Sequence, residues 1–296
     1  PIRGTIAATC VAVIILGKRR VKRSFIVLLL ILFGAASLGG ESRPAPGHFR
    51  FTLLDVGQGL AAAIYTANHV LLFDTGARYG SFSLGEAVVI PELQGQGISF
   101  VDVVVVSHNS NDHAGGLGAI QRVFAIGRLN HSEPERGPSG DCELQDPWIW
   151  DNVQFQFLKS RPESSQNINN RSCVLHISGP YGSALLTGDI ERRAEQTLVK
   201  RYGDDLKVDI LQVPHHGSKT SSGLKFLTAT QPLMALFSRG SMNRFGHPAP
   251  EIKRRYERLG ILMLDTAEQG QLDLETTAQG WSIKTFADTQ LRFWHQ

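Results

Sequence analysis

Histidine and aspartate gather at three places in this chain, each directly after an apolar run. The first is "VVVVSHNSNDHAGG", Val103 to Gly116, where His108, Asp112 and His113 fall within a span of six residues. The second, "LLTGDIE", sets Asp189 just before a helix-compatible stretch. The third, "VPHHGSKTSS", carries His215 and His216 with hydroxyls and Lys219 beside them. Imidazole nitrogen and carboxylate oxygen together suit a divalent cation such as zinc or manganese, the harder ions favouring the carboxylates. A lone Gly-Asp before a helix is an ordinary N-cap, and one His-Asp loop can be a mere turn. Three such clusters at three strand ends point instead to a single site assembled from separate parts of the chain.

Something must bring those segments together. Short apolar strands are expected over 49–55, 61–65, 70–74, 101–107, 153–158, 173–178, 184–187 and 208–213. Helices are expected over 85–94, 115–124, 190–202, 223–228 and 251–259, and the mixture indicates a layered α/β domain. Asp55, Asp74, His108, Asp189 and the 215–216 pair all close strands, the pattern of a site built along one edge of a sheet. Asp55 and Asp74 are expected in turns or behind the ligands. The Gly115–Gly116 pair lets the following helix start close against its loop, and residues 131–147, rich in Pro, Glu and Gly, read as a long surface loop.

The front of the chain is different. Without an initiator methionine, Pro1 leads into "GTIAATCVAVIILG", then the basic cluster "KRRVKR", then a second apolar run from Ser24 to Gly40. Residues 1–40 are expected to be the last membrane spans of a longer protein rather than a signal peptide. With the basic loop cytoplasmic, everything beyond Gly40 falls on the outer side. Residues 41–47 read as a linker and 48–296 as one domain. Six of the 30 Lys and Arg lie within residues 1–40, where there is no acid, so residues 41–296 hold 24 basic against 27 acidic groups, a net of −3. That excludes a globally basic surface for nucleic acid. Such binding falls to a local patch such as Lys253, Arg254, Arg255 and Arg258, a run that equally suits the solvated face of a helix. Cys142 and Cys173 are the two cysteines of this part; an oxidising compartment permits a bridge, and two separate small core residues fit as well.

The words "HxxxDH", "TGD" and "HHGS" resemble the metal motifs of the metallo-β-lactamase fold. Together with "LLDVGQGLA", "LLFDTG", "SHNSNDHAGG", "LLTGDIE", "PHHGSKTSS" and "NRFGHP", which cover nearly all of residues 50–250, they are similar to the C-terminal domain of the ComEC competence proteins. The resemblance implies an αββα four-layer sandwich holding one or two divalent ions. It also implies hydrolysis of DNA phosphodiester bonds, degrading the non-transported strand in natural transformation. The setting implied is a periplasmic domain of a multi-pass inner-membrane DNA channel, whose partners are DNA, the channel domain itself and other competence proteins.

Carried over residue by residue, the resemblance places His108 on a first metal, and Asp112, His113 and one of His215 or His216 on a second, with Asp189 bridging the two. The catalytic set is Asp112, His215 and His216, since the histidine that does not ligate meets the phosphate or donates a proton. Ser218, Lys219, Asn243, Arg244 and His247 are candidates for holding the substrate backbone. The sequence departs from the pattern at Ser110, where the general fold has a second histidine, and at Leu60, where many relatives have an acid. The first metal position is therefore expected to be weak or to fill only with substrate, and the second to be intact. Ser110 and the net negative charge also motivate an alternative, a non-catalytic domain that guides DNA in the same channel. Hydrolysis of a small ester or lactam is more distant, because "HHGS" and "NRFGHP" argue against it.

Overall fold

Apolar runs become strands here wherever both of their faces can be covered. A computed structural model describes residues 43–132, 140–162 and 166–289. The membrane spans expected over 1–40 lie outside the described residues, and among the described ones no helix is long and apolar enough to cross a membrane.

Strands β1 (Arg50–Leu53), β2 (Ala62–Tyr65) and β3 (Val70–Phe73) form an antiparallel meander, buried along its whole length. A small hairpin, β4 (Arg78–Tyr79) and β5 (Phe82–Ser83), stands apart from the large sheets. A π-helical turn over Gly85–Val89 runs into α1 (Ile90–Gly95), and β6 (Phe100–Val106) then enters parallel to β3. A parallel strand covered on both faces shows no polar alternation, which is why β6 reads "FVDVVVV". Then come α2 (Asn111–Ala114), α3 (Leu117–Val123), β7 (Ala125–His131) parallel to β6, and β8 (Gly140–Asp141).

The second sheet starts with four antiparallel strands: β9 (Trp148–Trp150), β10 (Val153–Leu158), β11 (Val174–Gly179) and β12 (Gly182–Leu186). Helix α4 (Arg192–Tyr202) crosses to β13 (Ile210–Gln212), α5 (Leu224–Thr230) to β14 (Met234–Phe237) and α6 (Pro250–Arg258) to β15 (Leu262–Asp265), all three strands parallel. After α7 (Thr266–Gln269), β16 (Leu272–Thr277) and β17 (Gly280–Thr285) return to the first sheet beside β1, followed by α8 (Phe286–Thr289). The sheet orders are β17-β16-β1-β2-β3-β6-β7-β8 and β15-β14-β13-β12-β11-β10-β9.

Between the sheets, Phe51, Leu53 and Phe73 pack with Phe155, Leu175 and Leu186. Neighbouring residues point the other way: Leu72 and Val104 meet Leu93 and Ile120 of α1 and α3, while Leu185 and Leu211 meet Leu198, Leu227 and Ile252 of α4 to α6. The layers therefore run helix, sheet, sheet, helix, and each fully buried aliphatic or aromatic side chain contributes about 1.5–3 kcal/mol. The expected strands and helices all form, shifted by a few residues at their ends. Strands β4, β5, β7 to β9 and β14 to β17 were not expected; β14 is only four residues with both faces covered, whereas β16 carries the alternating burial that a period-two reading detects.

Cys142 and Cys173 are bonded, with Cα atoms 5.9 Å apart and both side chains fully buried. The bond ties the turn Cys142–Leu144 in the expected long loop to the start of β11. Closing a sequence separation of 31 residues restricts the unfolded chain, so a Cys142→Ser/Cys173→Ser variant is expected to lose about 2–4 kcal/mol in urea unfolding. A loss below about 1 kcal/mol would show that the bond adds little to the folded state.

Glu195 on α4 is buried, and its carboxylate accepts hydrogen bonds from the Ser222 and Gly223 N–H groups beside Arg192, Arg255 and the Tyr256 hydroxyl. Burial lifts the carboxyl from 4.5 to about 7, against the pull of those hydrogen bonds and both arginines. The folded state thus keeps a proton that the unfolded chain releases, a contribution fully present below the unfolded value and lost as pH rises through about 7. Glu195→Gln is expected to remove up to about 3 kcal/mol of the stability change between about pH 5 and about pH 8. Urea unfolding at both pH values checks this, and identical pH slopes for the two proteins would acquit Glu195.

Candidate metal centre

The carboxyl ends of four strands deliver the site. Asp74 follows β3, His108 follows β6, Asp189 follows β12, and His215 and His216 follow β13. Asp112 and His113 come from α2, the single turn of helix that begins after Ser110. A Cβ on Gly116 would overlap Thr75 O and the backbone of Gly85, so this glycine allows the turn to seat against the β3 loop.

Ligand atoms of Asp112, His113, Asp189 and His216 all lie within 4.8 Å of one another. His113 Nε2 is 3.1 Å from Asp189 Oδ1 and 3.9 Å from Asp112 Oδ2. His216 Nε2 is 3.4 Å and 3.6 Å from the same two oxygens. The rings are aimed from behind. His113 Nδ1–H donates to Asp74 Oδ2 (2.7 Å), and His216 Nδ1–H donates to Ser238 O (2.8 Å), which leaves both Nε2 atoms facing the centre. Asp74 is fully buried at φ 60° and also accepts from Ser107 N–H (2.6 Å) and Ser107 Oγ (2.7 Å). It stands behind a candidate ligand, whereas exposed Asp55 accepts from Gly57 N–H in a turn.

The "TGD" loop is held by a residue that composition does not single out. Gln212 Oε1 accepts from the Thr187 and Gly188 N–H groups, each at 2.9 Å. Asp189 N–H donates to Ser172 Oγ (3.2 Å), and His215 N–H donates to Gly188 O (3.1 Å), so the second and third clusters are joined through backbone. His215 and His216 both take left-handed backbone, φ 50° and 54°. Such conformations cost about 1–3 kcal/mol each and persist only where surrounding contacts enforce them. They splay two adjacent side chains: His216 is 2% exposed and enters the cluster, while His215 is 20% exposed, with Nε2 3.7 Å from Asp189 Oδ2 and Nδ1 3.5 Å from Glu191 Oε1.

Buried polar atoms normally find hydrogen bonds, and here several fail together. His108 Nε2, His113 Nε2, Asp189 Oδ1 and His216 Nε2 are buried without a hydrogen-bond partner. Three of the four belong to the cluster, and this donor set, two imidazoles and two carboxylates, fits a divalent cation. Electrostatics agree. Burial would raise Asp189, but His113 and His216 hold it well below the usual carboxylate range. Burial would lower His113, but Asp189 and Asp74 raise it well above the usual imidazole value. Asp112 is likewise lowered, burial opposing and His216 and His113 prevailing. A cation entering the cluster would displace protons from these imidazoles.

The other sequence candidates lie around this cluster in distinct ways. His108 is buried with its ring 4.3 Å from that of His113, and burial followed by the charge on His113 pulls it down to about 3. Ser110 Oγ donates to Asp112 Oδ1 at 2.5 Å, so the position braces a carboxylate from the side. Buried Leu60 donates its N–H to Asp112 O (3.1 Å). Ser218 is buried, its Oγ 3.1 Å from Thr220 Oγ1, and Lys219 is exposed. Asn243 braces its own loop, donating to the Gly240 and His247 carbonyls, while Arg244 is exposed and lies over the Phe245 ring. His247 has its ring centroid 5.7 Å from that of His215, and burial followed by His216 and His215 pulls it down to about 4. Glu191, Ser172, Ser107 and Gln212 were missed; they are common polar types whose roles follow only from which atoms the fold sets beside them.

The chain belongs to the metallo-beta-lactamase superfamily: a family model of that description matches residues 54–233. It is 35% identical over 275 residues to "Competence protein ComA" of Neisseria gonorrhoeae, covering 92% of this chain and 38% of that protein. It is 33% identical over 250 residues to "Recombination protein 2" of Haemophilus influenzae, covering 83% of this chain and 31% of that protein. The chain thus spans about a third of the length of the curated relatives it matches. Among solved structures, the metallo-beta-lactamase fold protein YhfI of Bacillus subtilis aligns at TM-score 0.53 and 12% identity, covering 77% of this chain and 99% of that one, a likeness of fold.

Proposed function

We propose that this domain is a metal-dependent phosphodiesterase acting on DNA during its uptake, degrading the strand that is not transported. The observation that carries the reading is the convergence of unpartnered buried nitrogen and oxygen atoms from Asp189, His113 and His216 beside Asp112. The names of two relatives, a competence protein and a recombination protein, supply the DNA context. Residues 1–40 are read as membrane segments, 41–47 as a linker and 48–296 as a domain on the periplasmic side of the inner membrane, with DNA, its own channel domain and other competence proteins as partners.

A divalent cation such as zinc or manganese supplies a nucleophilic water at neutral pH and offsets charge on phosphate oxygens. In this reading Asp112, His113, Asp189 and His216 hold it, Asp74 and Ser238 aim the two imidazoles, and Gln212 keeps the Asp189 loop in place. His215, partly exposed and flanked by Asp189 and Glu191, is the group poised to meet a phosphate oxygen or pass a proton to the leaving oxygen. Ser218, Lys219, Asn243, Arg244 and His247 are read as the substrate contacts. Because Ser110 spends its hydroxyl on Asp112, the His108 position lacks a companion and is read as a weak second site. The same observation favours the second reading, a DNA-guiding domain without catalysis.

Metal content and cleavage of linear DNA separate the two. One ion per chain and metal-dependent cleavage are expected of the natural sequence, and Ser110→His is expected to add a second ion and raise the rate. No metal above background and no cleavage in either protein would leave only the guiding role.

A further inference from the structure

On the outer face of the second sheet, α4, α5 and α6 leave a cleft of about 600 Å³ lined by Arg192, Lys200, Lys225 and Arg255. It continues past Leu224 and Arg255 into a second hollow of about 350 Å³, where Arg254 and Arg258 stand. The side chains of Lys200, Lys225, Arg254 and Arg258 make no hydrogen bond or ion pair with any described residue. The acids of the cleft are buried Glu195, engaged by the Ser222 and Gly223 backbone, and Glu251 at the far end. Concentrating free cations here is unusual for a domain whose net charge is otherwise negative.

The cleft is also tied to the metal-ligand cluster. Arg192 donates its N–H to Thr220 O (3.1 Å) and Nη2 to Lys219 O (3.0 Å). Those residues lie in the loop that runs from His215 and His216 to α5. One wall of the cleft and one wall of the site are therefore the same stretch of chain. The concave shape suits a strand lying in it better than the flat surface of a bilayer, and a row of flexible, unpaired cations suits repeated phosphates rather than one small anion.

We propose that the cleft between α4, α5 and α6 holds the phosphate backbone of a nucleic-acid strand, as a second surface beyond the metal centre along which DNA lies. This rests on the reading of DNA as the substrate. The cations position the strand without reading its bases, so the surface is sequence-independent and salt-sensitive.

The test is a Lys225→Glu/Arg258→Glu variant of the full chain, both positions being exposed and unpaired. Binding of a fluorescein-labelled oligonucleotide, single-stranded and duplex, is followed by anisotropy across a salt series. Affinity at low salt is expected to fall about tenfold, and the slope of log affinity on log salt to shrink by about 2, one per cation removed. Metal content, and any hydrolysis of bis(p-nitrophenyl) phosphate, which is too small to reach the cleft, are expected to match the unaltered protein. An unchanged salt slope overturns the proposal. So does a variant that loses binding to phosphatidylglycerol vesicles while keeping its DNA affinity, since the surface would then face lipid. If the unaltered protein cleaves no phosphodiester but the variant still loses DNA affinity, the catalytic reading fails and this one stands.

Discussion

Asp189→Asn is expected to abolish divalent-metal binding, lowering affinity by more than about 100-fold, beyond the range seen when only a supporting residue is lost. The physical reason is that Asp189 is shared: its Oδ1 lies 3.1 Å from His113 Nε2 and 3.4 Å from His216 Nε2, and its Oδ2 faces His215. Replacing one oxygen by an NH2 group puts donor hydrogens where a cation would need a lone pair, and removes the negative charge in a site only 4% exposed. Metal titration by calorimetry, with far-ultraviolet circular dichroism to verify folding, reads the effect. A folded Asp189→Asn protein that binds metal as tightly as the natural sequence would place the centre elsewhere.

Asp74→Asn is expected to have the second largest effect, through position rather than ligation. Its carboxylate accepts from His113 Nδ1, Ser107 N and Ser107 Oγ inside a fully buried pocket. Burial raises this carboxyl while His113 and Ser107 pull it back. An asparagine must turn its NH2 group toward at least one of those donors, leaving a buried hydrogen bond unmade at a cost of about 1–3 kcal/mol. His113 would then lose the acceptor that sets its tautomer, and metal affinity is expected to fall about 10–100-fold. Two measurements separate the parts: urea unfolding of the metal-free protein and metal titration. Loss of stability with unaltered metal affinity would show that Asp74 serves the fold alone.

The strand ends that bear chemistry were legible because apolar runs and polar residues meet abruptly there. β6 is a run of valines that stops at Ser107, and β13 is a short apolar strand that stops before Pro214. Helices α3 to α6 were legible from periodicity and from glycine or proline near their ends. The return strands β16 and β17 were less so: β16 pairs with β1 across more than 200 residues of sequence and carries β17 at its outer edge, and nothing local in "LDLETT" says which sheet it joins. Cys142 and Cys173 show the same limit. Their types allowed either a bridge or two separate core positions, and only the approach of the 142–144 turn to β11 decided for the bridge.

By itself the sequence determined the chemistry on offer: imidazoles and carboxylates in three short segments, each launched by a buried strand. It also determined where the basic residues cluster along the chain. Tertiary structure alone decided which of two adjacent histidines enters the cluster, because residue type and spacing are identical for His215 and His216 and only left-handed backbone geometry and burial part them. It alone turned Asp74 and Gln212 into the supports of the site, since a ligand's orientation depends on atoms brought close from distant strands. Likewise, Lys225 and Arg258 line adjoining hollows only because α5 and α6 cover the same sheet.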